Sequence, residues 1–118
     1  MDDSILLSML KRLGGYTEGD DDFYDDILMF VNAAISVLTQ LGVGPKEGYI
    51  VTGDGETWAD FLTNAKPERL MMVQEFVYTY VRIAWDPPQV GGVLNAYKER
   101  LDQLTWRINV AVDPGEEE

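Results

Sequence analysis

Of the 21 acidic residues in this 118-residue chain, six crowd into positions 18 to 26: Glu18, Asp20, Asp21, Asp22, Asp25 and Asp26. Such a cluster invites a metal. A calcium loop, however, needs oxygen ligands at alternating positions, a glycine at the sharp turn and a closing bidentate glutamate. Here Phe23 and Tyr24 stand where the turn should be, and no glutamate follows at the closing distance. The carboxylates instead suit the start of a helix, where they cap free amides and complement the positive end of the dipole. A second acidic spot is Asp54-Gly55-Glu56, beside Thr57 and Trp58. Paired carboxylates can do acid–base work, but only in an aromatic-lined cleft with one pKa raised. A turn followed by a helix cap is the simpler reading. Gly53-Asp54-Gly55 and Gly91-Gly92 are not phosphate loops, because neither leads into a Lys-Ser/Thr pair. The chain has no histidine, so Ser4, Ser8 and Ser36 have no triad base, and no cysteine, so it has neither thiolate zinc sites nor disulfides. No residue is therefore assigned a catalytic, cofactor-binding or metal-ligating role.

The charge balance narrows the partners. Nine basic residues against 21 acidic ones give a formal charge of −12, and the basic ones are scattered from Lys11 to Arg107. A phosphate backbone is repelled by such a surface. The balance suits a basic protein partner, or a wall past which DNA slides without sticking. Trp58, Trp85 and Trp106, with Tyr78, Tyr80 and Tyr97, could stack bases, but that use needs a positive groove. Core packing is their expected role, with protein–protein anchoring as the remainder. At this length and 46% hydrophobic content the chain is a single globular domain. Without a basic N-terminal region or an apolar run near ~18 residues, it reads as cytosolic, with no membrane segment.

The elements that must position these residues follow from periodicity and punctuation. A helix is expected from about Ser4 to Leu13, capped by Asp3 or Ser4, with Ile5, Leu6, Met9, Leu10 and Leu13 on one stripe and Gly14-Gly15 as its stop. A second runs from about Asp22 to Leu41, burying Phe23, Ile27, Phe30, Val31, Ala34, Leu38 and Leu41. Residues 43 to 56, rich in glycine, predict an exposed loop, hairpin or extended arm. Thr57 to Leu62 predicts one or two turns with Trp58, Phe61 and Leu62 inward. Pro67 opens the most hydrophobic helix, which ends at Trp85. Its stripe is Leu70, Val73, Val77, Val81 and Ala84, widened by Met72, Phe76, Tyr80 and Ile83. Pro87-Pro88 force a turn. A last helix from about Gln89 to Ile108 is expected to bury Val90, Val93, Leu94, Tyr97, Leu101, Leu104 and Ile108. Gly91-Gly92 in its opening turn costs roughly 1 kcal/mol per glycine and would let a neighbouring backbone approach closely.

Read in order, Leu13-Gly14, the Asp-rich cap, Asn32-Ala33-Ala34, Leu41-Gly42-Val43, Thr57-Trp58-Ala59-Asp60-Phe61, Val77-Tyr78-Thr79-Tyr80-Val81, Trp85-Asp86-Pro87-Pro88 and Leu104-Thr105-Trp106-Arg107-Ile108-Asn109-Val110 resemble the head–tail connector (adaptor, DNA-packaging) proteins of tailed bacteriophages and prophages. Gly91-Gly92 departs from the pattern, which has serine or bulkier residues there. The resemblance implies an all-α fold: a compact bundle of four to five helices, with a long Gly-rich loop between helices 2 and 3. It implies a helical domain over 1–109 and an acidic C-terminal arm over 110–118. Trp58, Trp85, Asp86, Pro87, Pro88 and Trp106 would be structural residues of the shared motifs. It further implies a non-enzymatic, cofactor-free subunit of a ring, dodecameric in the virion and monomeric in isolation. That ring would sit under the portal protein in the virion neck, after assembly in the host bacterial cytoplasm. It would extend the DNA channel without sequence-specific contact and dock the next head-completion or tail protein. Arg107, Ile108, Asn109, Val110, Val112 and Asp113 would face the portal. Val43, Lys46, Glu47, Tyr49, Ile50 and Asp54 would face the channel or the next ring. Arg69, Arg82, Lys98 and Arg100 are expected to meet acidic residues of a neighbouring subunit. The alternative is a monomeric acidic DNA mimic that inhibits a basic host protein.

Overall fold

In a computed structural model, residues 4–13, 24–63, 65–85 and 87–111 are described. The first helix, α1 (Ile5–Leu13), begins where the Ser4 Oγ accepts a hydrogen bond from the Leu7 N–H at 3.2 Å. That satisfies one of the amides a helix start leaves free. Ser4 also forms an isolated antiparallel bridge with Thr57, and the Ile5 N–H donates to the Glu56 carbonyl at 3.0 Å. The start of α1 is thus tied to the end of the long loop. Ile5, Leu6, Met9 and Leu10 are buried as their spacing predicts. Asp3, the Gly14-Gly15 stop and most of the acidic cluster lie outside the described residues.

The second helix, α2 (Tyr24–Gln40), carries exposed Asp25 and Asp26 in its first turn, where they complement the dipole. It buries Ile27, Val31, Ala34, Ile35 and Leu38. Ile35 joins the expected face, Phe30 and Leu41 lie half-buried at its edges, and Phe23 falls outside the described residues. Gly42 ends the helix at φ +89°, a left-handed conformation that glycine adopts without penalty. The short α3 (Trp58–Phe61) is capped by Thr57, whose Oγ1 accepts from the Asp60 N–H at 3.1 Å. Trp58, Phe61 and Leu62 all point inward, as expected.

The central element is α4 (Pro67–Trp85), which packs against α1, α2 and the last helix, α5 (Gly91–Ala111). Pro67 is its first residue, where a missing N–H costs nothing. Val73, Phe76, Val77 and Val81 are buried, but Leu70 is only half-buried and Ala84 is exposed. The expectation for α5 needs a larger correction. Of its seven expected core residues, only Leu104 and Ile108 are buried. Leu94, Tyr97 and Leu101 are half-buried, and Val90 and Val93 are exposed. The reason is position. As an edge helix packed mainly on α4, α5 can bury only a narrow strip. Among the described residues Gly91 and Gly92 approach nothing, since a Cβ at either would meet open space.

The segment between α2 and α3 is neither a hairpin nor an extended arm. Val43 and Val51 are buried in the core, and the Asn32 side chain grips Val51 from α2. Asn32 Nδ2 donates to the Val51 carbonyl at 2.9 Å, while the Val51 N–H donates to Asn32 Oδ1 at 2.8 Å. Tyr49-Ile50-Val51 forms no strand, and its polar backbone is satisfied by a side chain instead. Gly44, at φ +84°, lies so close to Phe61 that a Cβ would stand 2.5 Å from the ring. The loop is a docked part of the fold.

Candidate docking surfaces

Three surfaces are built on this frame. The first is the loop. Lys46, Glu47, Ile50 and Asp54 are exposed on it. Tyr49 is half-buried. Its hydroxyl donates to Asp60 Oδ2 at 2.8 Å, and its ring lies 5.1 Å from that of Phe61. Burial, and then the Asp60 carboxylate, push the Tyr49 hydroxyl well above its ordinary pKa. Val43 does not belong with this group: it is buried and holds the loop from beneath. Glu56 folds back on the loop, accepting from Thr52 Oγ1 at 2.6 Å and the Gly53 N–H at 3.2 Å. The Thr52 bond holds its carboxyl below the usual range, which suits a turn clasp and not a proton donor.

The second surface is the end of α5. Arg107, Asn109 and Val110 are exposed there. Ile108 is buried and anchors the end of the helix, so it offers no contact itself. Val112 and Asp113 lie outside the described residues. The three tryptophans part company. Trp58 is buried, Trp85 packs at the edge of the core, and Trp106 is 68% exposed. Core packing is therefore corrected for Trp106. It lies between Leu104 and Ile108 in sequence but on the opposite side of the helix. Pro87 and Pro88 are half-buried between α4 and α5, and Asp86 lies outside the described residues.

The third surface was not legible in the sequence. An open groove of about 710 Å³ runs along α4, walled by α5 on one side and the end of α1 on the other. Met71, Tyr78 and Tyr97 line it, with Glu68 at the start of α4. Met71 is 66% exposed. Arg12 from α1 stacks over the Tyr78 ring, 4.6 Å from its centroid. Arg100 closes the α5 wall by a two-pronged pair with Glu75, at 2.7 Å from Nε and 2.8 Å from Nη2. This corrects one expectation: Arg100 is committed within its own chain and is not a spare cation for a neighbour. Arg82 stands over the Tyr97 ring at 5.9 Å, Lys98 is exposed, and the Arg69 Nε is buried without a hydrogen-bond partner. Among the described residues, no group of three His, Cys, Asp or Glu is placed to hold a metal ion, and no helix is long and apolar enough to cross a membrane.

The Arg100 hydrogen bonds, with smaller help from the charges of Arg12 and Arg107, hold the Glu75 carboxyl below its usual range. A lowered native pKa stabilises the fold above the unfolded carboxylate value, near 4.3. That stability fades as pH falls through the native pKa. With both side chains more than a third exposed, Glu75→Gln is expected to cost only about 0.5–1 kcal/mol at pH 7. Urea denaturation across pH 7 to 3 checks this: the gap between the two proteins should be full at pH 7 and narrow as pH falls below the unfolded carboxylate value.

A family model described as "Phage connector protein" matches residues 6–115, from α1 to beyond the end of α5. No curated protein and no solved structure matches the chain.

Proposed function

This chain belongs to the phage connector protein family, and we propose that it is a head–tail connector subunit that forms a ring beneath the portal. The family gives it a structural, connector-type role. The finer reading is ours. Copies close into a twelve-fold ring in the virion neck after assembly in the bacterial cytoplasm, and remain monomeric until the portal templates them. The end of α5, through Arg107, Asn109 and Val110 and the arm containing Val112 and Asp113, reaches the portal. The loop, through Lys46, Glu47, Tyr49, Ile50 and Asp54, faces the channel or the next neck or tail protein. Val43 and Ile108 support these surfaces from inside.

The observation that carries the reading is the family match over residues 6–115, which spans both exposed surfaces and the helices between them. The physical chemistry agrees. A subunit with a net charge of −12 lines a passage without binding the DNA that moves through it. Asp25 and Asp26 stand in the first turn of α2, where they complement the dipole, and Glu56 clasps the loop; the role read from this is not enzymatic.

The test mixes the purified chain with the portal protein encoded beside it, and reads the mass of the complex by light scattering and its symmetry by electron microscopy. A stoichiometric ring on the portal is expected. A chain that ignores the portal at all concentrations, yet competes with DNA for a basic host protein, is a DNA mimic, and the proposal then fails.

A further inference from the structure

The ring reading says that copies meet but not where, and the surface has two features that no described residue covers. One is a knob: Trp106, 68% exposed, with Val110 one helical turn further along the outer face of α5. The other is the groove over α4, floored by Met71 and Tyr78 and walled by Tyr97. We infer that Trp106 of one copy seats in the α4 groove of a second copy and that this is the lateral contact between subunits.

Four observations carry this assignment, which rests on the ring reading. First, Trp106 cannot fill the groove of its own chain. The helix that buries Leu104 and Ile108 against the core turns Trp106 away from it. Second, size and chemistry match. The open groove of about 710 Å³ is roomy enough to admit an indole, its Tyr78 and Tyr97 offer ring partners, and methionine is a soft, adaptable lining for an indole. Third, charge is complementary at the rim. Arg107, exposed beside the knob, meets Glu68, exposed at the groove. The groove's other charges are already engaged, Arg100 with Glu75 and Arg12 with Tyr78. Fourth, a knob and a groove on one chain are two different patches, as a closed ring of heterologous contacts requires. Arg107 and Val110 then stand where the subunit boundary meets the portal-facing end of α5.

The contact carries a salt signature. Two copies each bearing −12 repel one another at long range, and salt screens that repulsion. Self-association should therefore strengthen as salt rises, whereas binding to a basic partner should weaken.

The chain has no cysteine, so single cysteines report the contact cleanly. Gln103→Cys, beside the knob, and Gln74→Cys, in the groove, are purified separately, mixed in the presence of the portal protein and oxidised. Thermal melting is read for both, to show that each is folded. The mixed disulfide is expected to exceed either self-disulfide at least tenfold, and adding Trp106→Ala to the Gln103→Cys protein should reduce it at least tenfold. Arg107→Glu and Glu68→Arg should each weaken it, and together restore it. Absence of the mixed disulfide, or dominance of the Gln103→Cys self-disulfide, overturns the inference. Rings that form on the portal with Trp106→Ala as well as with the wild type overturn it too, and leave the ring reading standing. A mixed disulfide from a chain the portal never recruits removes the ring reading and leaves the contact as plain self-association.

Discussion

Replacing Trp58 with alanine is expected to remove about 3–5 kcal/mol of stability, as for large aromatic side chains cut from a packed core. Trp58 is only 1% exposed. Its indole N–H donates to Ser8 Oγ at 3.1 Å across fifty residues of sequence, and the Ser8 hydroxyl donates in turn to the Ile5 carbonyl at 2.9 Å. The indole thus joins α3 to α1 and fills the space between them. Its loss leaves a cavity and a serine oxygen without its donor. That is a large fraction of the about 5–15 kcal/mol that is the whole stability of a typical domain. Trp58→Phe separates the two contributions, since it retains most of the volume and loses only the bond, at about 1–2 kcal/mol. Urea midpoints measure both. A loss under ~1 kcal/mol for Trp58→Ala would mean that the site collapses freely and that the indole is not a tie.

The second large effect is expected at Asn32. Asn32→Ala leaves the Val51 N–H and C=O without partners in a place where Val51 itself is buried. Orphaned buried groups cost about 1–3 kcal/mol each. A loss of about 2–4 kcal/mol is expected, because water can partly reach the loop once it is released. Hydrogen exchange locates the damage: amides of residues 49 to 53 should lose protection well before those of α4. Asn32→Asp gives a sharper readout. At neutral pH its carboxylate still accepts from the Val51 N–H but faces the Val51 carbonyl with a second acceptor. When protonated it can donate again, so the deficit against wild type should shrink as pH falls. A pH-independent deficit equal to that of Asn32→Ala would show that the two-way bond is not what holds the loop. Under the proposed function, a released loop would also weaken docking of the next neck protein.

These two residues mark where sequence reasoning reached and where it stopped. Trp58 was placed inward because Thr57 is a cap and the residues after it recur at helical spacing. Asn32 belongs to a segment that carries the family resemblance, but its grip on Val51 is not legible there, because no local rule couples positions nineteen apart. The Glu75–Arg100 pair, separated by twenty-five residues, escaped for the same reason.

By itself, the sequence determined the helices, because helices are local objects. A serine cap before Ile5, a proline opening α4 and a glycine ending α2 act within one turn of where they stand. It also determined the net charge, and with it the poor match to nucleic acid. What only the tertiary structure decided was which apolar faces find a cover. Val90, Val93 and Trp106 are as hydrophobic as Leu104 and Ile108, yet they stay in solvent because α5 stands at the edge of the bundle. Val43 and Val51 lie in a glycine-rich loop and are buried because α2 and α3 close over them. Burial is set by a neighbour's presence, and periodicity says only which side of a helix would welcome one.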